Sequence, residues 1–511
     1  MTTSAVSLIE REYPGFERLP NEVEDFFAET RGQSLLVTGA PGTGKTLFTL
    51  RVLDSLARGP DEALYVSSRI DEDAIHRLYL DEYTSLDRTN VLDLSRGPFD
   101  TPLNVDFPFD DLSRDTFLDW VRTVSDVSHG FALAFDSWKL IQESLGPPAR
   151  ERGKDEGLVD RLAALARQEG IDLVLVAESK SASALEYISD GVVRLLVKEN
   201  NAGQTLRTLL LEKLRGVHIG NRSKPFTLSG GKYRSCSPVR IEEIRAGPDA
   251  GQWEPTSGTR STFATGIETL DDLLTNGYNR GSLVHVELGP DLPRDAWTLV
   301  VIPTIRNFLA KERGVAVVPP RESSPGLLHS DLSAAVSPDV FEEKCTVFEP
   351  SMDVSAIEGE PNEEFGWPVY QTKLEGGKTK LHKGDSKIGH DVGDSRGITI
   401  QTFLQEIEKI RPSDDGPVLH VLDTEAMESR IKSRLGDLAR YIALHNDLAL
   451  FITKPGSELQ TGTDRVADVH LRLERQEGTI VLSGRNPVTP LLSVGVDTKK
   501  SVPRVVLVEM V

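Results

Sequence analysis

Uninterrupted apolar runs alternate with helical stretches along the first half of the chain. The runs occupy residues 34–38, 63–67, 131–135 and 172–177. They lack the polar alternation of a half-exposed strand, so we expect strands that are buried on both faces of a sheet. Helices are expected at residues 47–56 and 156–168. Strands separated by helices predict an α/β fold with a mostly parallel central sheet.

Residues 192–197 and 207–214 predict an antiparallel pair that closes the first sheet, with a turn near residues 200–203. The second half of the chain then repeats the α/β pattern. Further strands are expected at residues 283–288, 315–318, 418–422 and 448–452. The sequence therefore predicts two α/β domains rather than one.

Composition marks the boundary between these domains. Residues 244–262 contain Gly, Pro and Ser without periodicity and are typical of a linker. The expected domains are then residues 1–243 and 263–511. Residues 351–399 are rich in Gly, Glu, Lys and Asp and poor in apolar residues, so we expect a long exposed loop insertion there.

One turn carries the strongest chemical signal in the sequence. It joins the first predicted strand to the first predicted helix and reads Gly39-Ala40-Pro41-Gly42-Thr43-Gly44-Lys45-Thr46. Its glycines let backbone N–H groups point at phosphate oxygens, and the helix places its positive end at the same spot. Lys45 can reach the β- and γ-phosphates, and the Thr46 hydroxyl can ligate Mg²⁺. The sequence therefore predicts a site for ATP and Mg²⁺.

Asp136 follows the apolar run 131–135 directly. A carboxylate at the end of such a strand holds the Mg²⁺ shell in phosphate-loop proteins, and Mg²⁺ prefers hard oxygen ligands. The alternative is a surface Asp that caps the next helix. We expect Asp136 and Thr46 to form the metal site.

The charge of the chain bears on its partners and its setting. The formal net charge is −21 over 511 residues, and the acidic residues are spread along the whole chain. Attraction to nucleic acid is not favoured by such a charge, and no membrane partner is expected. Acidic residues in this number, with Arg in excess of Lys, are typical of a halophile's protein; an acidic mesophilic protein is the alternative. Two cysteines, no apolar run long enough to span a bilayer and no signal peptide indicate the cytoplasm.

Several segments resemble the RecA superfamily, in the branch that includes the circadian-clock ATPase KaiC. The matching segments are residues 185–193 (LEYISDGVV), 207–209 (RTL), 213–216 (KLRG), 264–267 (ATGI), 270–274 (LDDLL), 277–278 (GY) and 280–282 (RGS). The resemblance covers both halves and implies two tandem RecA-like domains. Residues 65–69 (YVSSR) are in addition similar to the second strand of the archaeal gas-vesicle regulators of the GvpD family.

The resemblance also implies where a catalytic base should lie. Members of the branch carry glutamates just after the second strand, whereas this chain has Ser68, Arg69 and Ile70 there, with Asp71 and Glu72 only later. A guanidinium stays protonated and cannot act as a base. Asp71 or Glu72 could substitute through a shifted turn, and we expect nucleotide binding with slow turnover.

Lys213 and Arg215 match a pair of cations that, in the family, reach a neighbouring subunit's γ-phosphate. Such cations stabilise charge that develops on phosphoryl oxygens. The resemblance thus implies an active site completed in a homo-oligomer or by docking of the second domain; two exposed basic strand residues are the alternative. They begin a basic run without acidic residues: Lys213, Arg215, Arg222, Lys224, Lys232, Arg234 and Arg240. The run could meet nucleotide phosphates, an acidic regulatory protein or a nucleic acid, or could form an ordinary solvated face.

The second domain lacks the phosphate-binding residues. Its corresponding turn contains Asp291, Pro293 and Asp295 and no Gly-Lys-Thr sequence. Carboxylates repel an anion and Pro lacks an N–H donor, so we expect a degenerate, pseudo-ATPase domain. Asp423 and Arg485 resemble relics of its magnesium-site carboxylate and its arginine finger.

The function expected from these observations is that of an ATP-binding regulator with slow ATPase activity, whose nucleotide state controls oligomerisation or partner binding. A DNA-associated recombination accessory ATPase is the first alternative, supported by the basic run and opposed by the net charge. A nucleotide-binding scaffold without hydrolysis is the second.

Overall fold

The structure is a computed structural model with two compact units. It describes residues 15–511 apart from 58–61, 81–82, 84, 95–112, 127–130, 146–156, 179–182, 201–202, 248–249, 321–322, 324–327, 329–330, 333, 350–368, 376–377, 384–390, 393–399, 413–415, 426–434, 455–462 and 464. Residues 16–237 and 509–511 form the first unit, and residues 15 and 238–508 form the second. The chain therefore returns to the first unit at its last described residues.

The first unit contains ten strands and seven α-helices among its described residues. The strands are β1 (Phe16–Glu17), β2 (Ser34–Gly39), β3 (Ala63–Ser67), β4 (Val91–Asp93), β5 (Ala132–Asp136), β6 (Asp172–Glu178), β7 (Gly191–Glu199), β8 (Thr205–Leu214), β9 (Ser223–Thr227) and β10 (Arg234–Cys236). The α-helices are α1 (Asn21–Glu29), α2 (Lys45–Leu56), α3 (Glu72–Ile75), α4 (Arg114–Ser125), α5 (Trp138–Ser144), α6 (Gly157–Glu169) and α7 (Ser183–Ile188). A π-helix (His76–Leu80) follows α3, and 3₁₀ helices lie at Arg88–Asn90 and Ser229–Gly231.

These strands form one sheet with a parallel block and an antiparallel block. The order is β1-β10-β9-β8-β7-β2-β6-β5-β3-β4. The block from β7 to β4 is parallel, and β8, β9, β10 and β1 continue it antiparallel. The carboxyl ends of β2, β6 and β5 consequently lie at one edge of the sheet, where Gly39 is in register with Glu178.

Both faces of this sheet are covered, which explains the unbroken apolar runs. Leu35 and Val37 pack in the hydrophobic cluster that contains Phe48 of α2. Leu36, between them, packs on the other face with Leu162 of α6. Strands covered on both sides lose the polar alternation of an exposed face.

The second unit contains fourteen strands and five α-helices among its described residues. The strands are β11 (Thr262–Phe263), β12 (Tyr278–Asn279), β13 (Ser282–Leu288), β14 (Gly314–Val318), β15 (Cys345–Glu349), β16 (Val369–Glu375), β17 (Lys378–Lys383), β18 (Asp391–Val392), β19 (Val418–Asp423), β20 (Leu448–Thr453), β21 (Val469–Gln476), β22 (Thr479–Asn486), β23 (Leu492–Asp497) and β24 (Arg504–Glu509). The α-helices are α8 (Glu268–Leu273), α9 (Thr298–Leu309), α10 (Pro338–Lys344), α11 (Ile400–Ile410) and α12 (Leu435–His445). Two 3₁₀ helices lie at Ile241–Ile244 and Arg294–Trp297.

The main sheet of the second unit has the order β18-β17-β16-β15-β14-β19-β20-β13-β21-β22-β23-β24, and β11 pairs separately with β12. The central block from β16 to β21 is parallel. Its faces are again both covered, with Val284 in the cluster that contains Phe308 of α9 and Leu283 in the cluster that contains Ile442 of α12. Each unit is therefore an α/β unit built on a large mixed sheet.

Carboxylates bind the amino ends of the parallel strands in both units. In the first unit, Ser34 Oγ donates to Asp190 Oδ2 at 2.8 Å. In the second unit, the backbone N–H of Leu283 donates to Asp468 Oδ2 at 2.9 Å. Each carboxylate satisfies a donor at the start of the central strand, where the ladder leaves groups unpaired.

The strands and helices that the sequence predicted are all present, with bounds that shift by at most two residues. Within the range 351–399, where we expected an exposed loop, the described residues instead form β16, β17 and β18. The rest of that range lies outside the described residues. The residues between β16 and β17 are Gly376 and Gly377, which is a typical two-residue hairpin signal that low apolar content concealed. No described helix has the length and apolar character needed to cross a bilayer.

Candidate functional site

The phosphate loop lies between the carboxyl end of β2 and the start of α2. Gly44 precedes the helix with φ of 97°, a left-handed conformation that glycine adopts without strain. A Cβ at Gly44 would lie 2.7 Å from Leu228 Cδ1. A Cβ at Gly39 would lie 2.7 Å from the backbone oxygen of Leu195. The tight fit of the turn thus explains glycine at both positions.

Lys45 lies over the loop that contains it. Its Nζ donates to the backbone oxygens of Gly39 at 3.0 Å and Ala40 at 2.9 Å. Burial lowers the pKa of Lys45, and the carboxylates of Asp136 and Glu178 oppose this shift. The ammonium is therefore held by neutral carbonyls that a phosphate oxygen can replace.

Thr46 and Asp136 meet beside this lysine, as the sequence predicted. Thr46 Oγ1 donates to Asp136 Oδ2 at 2.7 Å, and Tyr65 Oη donates to the same oxygen at 2.6 Å. Burial, and then the charge of Asp136, raise the pKa of Tyr65 well above its ordinary value, so the phenol remains a donor. A hydroxyl and a carboxylate in contact at a helix start are the hard oxygen donors that suit Mg²⁺.

The sequence analysis missed Glu178, which ends β6. Its Oε1 accepts a hydrogen bond from Arg69 at 3.0 Å. This hydrogen bond and the charge of Arg69 lower the pKa of Glu178, so the carboxylate is ionised. Its signal was available, because Glu178 follows an apolar strand in the same way as Asp136.

Asp71 and Glu72, the two candidate bases, are engaged around α3. Asp71 caps this helix by accepting the N–H of Ala74 at 2.9 Å. Glu72 accepts a hydrogen bond from Arg88 Nε at 2.6 Å. The charged groups that most affect the pKa of Lys45 are instead Asp136, Glu178 and Arg69.

Lys213 and Arg215 lie at the opposite edge of the sheet from the phosphate loop. Lys213 Nζ donates to the backbone oxygen of Ser189 at 2.5 Å, and Arg215 donates to Asp190 Oδ1 at 2.7 Å. Leu214, between them, is in register with the first residue of β7, at the amino end of the parallel block. Both cations thus contact the entry to β7, and 64% of the Arg215 side chain is exposed.

The rest of the basic run does not form a single open stripe. Lys224 Nζ pairs with Glu22 at 2.7 Å, with both side chains largely buried. Arg234 donates to the backbone oxygen of Ser229 at 2.9 Å, and Lys232 is buried. The local positive charge is therefore partly neutralised within the unit.

Arg207 connects the phosphate loop to the last residues of the chain. It donates to the backbone oxygen of Gly42 at 3.0 Å and, through Nε, to that of Val511 at 2.6 Å. Thr227 Oγ1 donates to the backbone oxygen of Glu509 at 2.5 Å. Glu509 is the last residue of β24, so the Arg207 side chain joins the loop to the residues that end this strand and follow it.

The corresponding turn of the second unit has another structure. After β13 it leads into the 3₁₀ helix Arg294–Trp297, and only then does α9 begin. Asp291 is exposed and Asp295 is half-buried on this turn. The Thr298 hydroxyl donates to the backbone oxygen of Asp295 at 2.6 Å. A carboxylate-bearing 3₁₀ turn thus replaces the glycine cradle.

The carboxyl end of β13 is occupied by an internal ion cluster. Glu287 is buried and lies 3.2 Å from His470 Nε2, 3.4 Å from Arg485 and 3.7 Å from Arg472. Burial alone would raise the pKa of Glu287, but the hydrogen bond from His470 and the two guanidiniums outweigh it and the pKa is lowered. Arg485 is therefore paired within its own unit, while Asp423 is buried at the end of β19.

Comparisons with known proteins match nearly the whole chain. The family model described as "GvpD gas vesicle protein, P-loop domain" matches residues 23–212, and the one described as "GvpD basic region 2" matches residues 252–511. Protein GvpD1 of Halobacterium salinarum is 44% identical over 529 aligned positions, which cover 98% of each chain. Protein GvpD2 of the same organism is 46% identical over 505 positions, again covering 98% of each chain.

Proposed function

Because the chain belongs to the GvpD gas-vesicle protein family, we propose that it is an ATP-binding regulatory protein whose nucleotide state controls oligomerisation or partner binding. The observation that carries this proposal is the geometry of the phosphate loop, in which Lys45 Nζ donates hydrogen bonds to the backbone oxygens of Gly39 and Ala40. The N–H groups of the loop and the start of α2 then receive the phosphates. Mixed sheets with a parallel centre in both units support two tandem RecA-like domains.

The metal part of the proposal concerns Mg²⁺. Thr46 and Asp136 are its proposed holders, because their oxygens are already adjacent. Bound there, Mg²⁺ supplies positive charge to the β- and γ-phosphate oxygens. Thr46 offers its hydroxyl, and Tyr65 orients the Asp136 carboxylate.

The second unit is proposed as a pseudo-ATPase. Glu287 places a negative charge at the end of β13, where a nucleotide would need to bring phosphates. The surrounding cations Arg472 and Arg485 are already paired with it. Like charges in a buried site repel strongly, so regulation or packing is the better role for this unit.

Light scattering with and without ATP and Mg²⁺ in molar KCl tests the regulatory proposal. We expect ATP to change the mean mass of the protein in solution, either by itself or in complex with a partner protein. The variant Lys45→Ala should abolish this change. High salt is chosen because it screens the self-repulsion of the acidic chain. ATP binding without any change in assembly or partner affinity would refute control by nucleotide.

We expect ATP binding to change the protection of residues 509–511 through Arg207. The variant Arg207→Ala should still bind ATP but lose this effect. Arg207 contacts the carbonyl of Gly42, in the loop proposed to bind the phosphates, and the Val511 carbonyl. We expect ATP affinity to stay within about threefold, a change below ~0.7 kcal/mol. Hydrogen exchange should show that ATP alters the protection of amides 509–511 in the wild type and not in the variant.

Arg222→Ala is the matched control for this experiment. Arg222 is an exposed arginine of the same unit, so its removal changes the net charge equally. It should leave the ATP response of residues 509–511 intact. An unchanged response in Arg207→Ala would show that the loop and the segment are not coupled through this side chain.

A further inference from the structure

Glu178 is the carboxylate at the end of the strand beside the phosphate loop. It ends β6, the neighbour of β2, and is in register with Gly39 at the start of the phosphate loop. Asp136 ends β5 on the other side of β6. Glu178 therefore lies at the sheet edge between the loop and the metal-site carboxylate.

The side chain of Glu178 is both ionised and accessible. It is 37% exposed, and its partner Arg69 is 45% exposed. Exposed ion pairs of this kind contribute little to stability, so stability alone gives little reason for the pair. The location of the pair gives another reason. Both charges affect the pKa of Lys45, which is the residue proposed to hold the β- and γ-phosphates.

Hydrolysis requires a group that orients water at the γ-phosphate. Arg69 cannot be that group, since a guanidinium has no acceptor. Asp136 is bound by Thr46 and Tyr65 and suits the metal. Glu178 is the remaining carboxylate among the described charges that act most strongly on Lys45.

We propose that Glu178 is the catalytic carboxylate that orients the attacking water, and that Arg69 moves from Glu178 to the γ-phosphate when ATP binds. This rests on the proposed function, since it requires ATP in the loop of the first unit. Arg69 pairs with Glu178 before binding, and a triphosphate offers it a stronger anionic partner. ATP binding thus frees the carboxylate and neutralises the γ-phosphate with one side-chain movement.

The reaction is then an in-line displacement at phosphorus. Water held by Glu178 attacks the γ-phosphorus and forms a new P–O bond. The bond from the γ-phosphorus to the β–γ bridging oxygen breaks, and its electron pair stays with ADP. The water proton passes to the Glu178 carboxylate and then to solvent, which leaves ADP, inorganic phosphate and one proton.

Glu178→Gln tests the role of the carboxylate, because the amide keeps the shape and loses the basicity. We expect phosphate release at saturating ATP to fall about 100-fold, the usual size of a general-base contribution. ATP affinity measured by titration should stay within about threefold. Glu169→Gln is the control: Glu169 ends α6, before the opposite end of β6, and its loss should leave turnover unchanged.

Arg69→Ala tests the exchange of partners. Arg69 lowers the pKa of Glu178, so its removal should move the acid limb of the pH–rate profile to higher pH. The KM for ATP should also rise about tenfold, because a charged contact to the γ-phosphate is lost. If Arg69 had only a structural role, its removal would change neither the acid limb of the pH–rate profile nor the ratio of kcat to KM.

The outcomes separate this inference from the proposed function. If the wild type binds ATP and Glu178→Gln hydrolyses it at the wild-type rate, the role of Glu178 is refuted and ATP binding stands. If the wild type binds ATP but releases no phosphate over many hours, Glu178 has no reaction to assist and the inference is refuted likewise. If the wild type binds no ATP in molar KCl, the proposed function itself fails.

Discussion

Lys45→Ala should weaken ATP binding to the first unit at least about 100-fold, which corresponds to roughly 2.7 kcal/mol. The Lys45 ammonium is already held over the loop by the carbonyls of Gly39 and Ala40. It therefore needs little reorganisation to meet the phosphates, and a preorganised charge in a half-buried site is worth more than one in water. Isothermal titration with ATP and Mg²⁺ in molar KCl measures the change.

The control for this prediction is Lys409→Ala. Lys409 is an exposed residue of α11 in the second unit, so the variant loses the same charge away from the loop. Its ATP affinity should stay within about twofold of the wild type. Equal affinities for Lys45→Ala and the wild type would show that ATP, if bound, lies elsewhere.

Asp447→Ala should lower the free energy of unfolding of the second unit by about 3–5 kcal/mol, the usual cost of breaking a buried ion pair. Asp447 is fully buried and accepts hydrogen bonds from Arg411 at 2.8 Å, His420 at 2.9 Å and the N–H of Val418 at 2.8 Å. Its removal takes from the buried Arg411 guanidinium its nearest carboxylate, and Glu408, at 3.5 Å, is farther away. Denaturant unfolding followed through the second unit measures the loss.

Asp437→Ala provides the comparison, since Asp437 is an exposed residue of α12. A substitution at such a site should change stability by less than about 0.5 kcal/mol. If Asp447→Ala does not accumulate as folded protein, Asp447→Asn can be measured instead, because it keeps the shape and part of the hydrogen bonding. A loss for Asp447 as small as that for Asp437 would contradict the role of this network.

The same network sets the direction of the pH dependence. Burial lowers the pKa of His420, and the hydrogen bonds from His420 and Arg411 lower the pKa of Asp447 although burial opposes this. A lowered pKa in the folded state gives stability that is present above the unfolded value and is lost as pH falls. Stability should therefore begin to fall below about pH 6.5 through His420 and fall again below about pH 3.9 through Asp447.

Much of the fold could be predicted because burial on two faces leaves a strong pattern. Residues 34–38 and 448–452 have no polar alternation, and each forms a central strand of its sheet. The meeting of Thr46 and Asp136 was predictable for a related reason. The carboxyl ends of parallel strands share one edge, so a polar residue that ends an apolar run points to that edge.

The remaining parts depend on contacts that strand patterns do not encode. The pairing of Arg69 with Glu178 joins residues 109 positions apart. The contact of Arg207 with Val511 spans 304 positions. Exposed side chains of this kind lack periodicity, so only the order β6-β5-β3 in the sheet and the return of the chain to the first unit bring them together.

The hairpin of β21 and β22 was not predicted from the sequence. β21 and β22 are joined by Glu477 and Gly478, both with positive φ, at 49° and 92°. This conformation belongs to a tight two-residue hairpin, but the turn lacks the usual Asn-Gly or Asp-Gly pair, and β21 alternates apolar with polar residues. These antiparallel strands were therefore harder to predict than the buried parallel centre.

A structure of the chain with a non-hydrolysable ATP analogue and Mg²⁺ tests the central claim most directly. The account predicts one nucleotide per chain, with its phosphates in the loop 39–46, Lys45 turned from the carbonyls of Gly39 and Ala40 to the phosphates, and the metal beside Thr46 and Asp136. An analogue seated at the end of β13 beside Glu287, or an empty loop at saturating analogue, would contradict it.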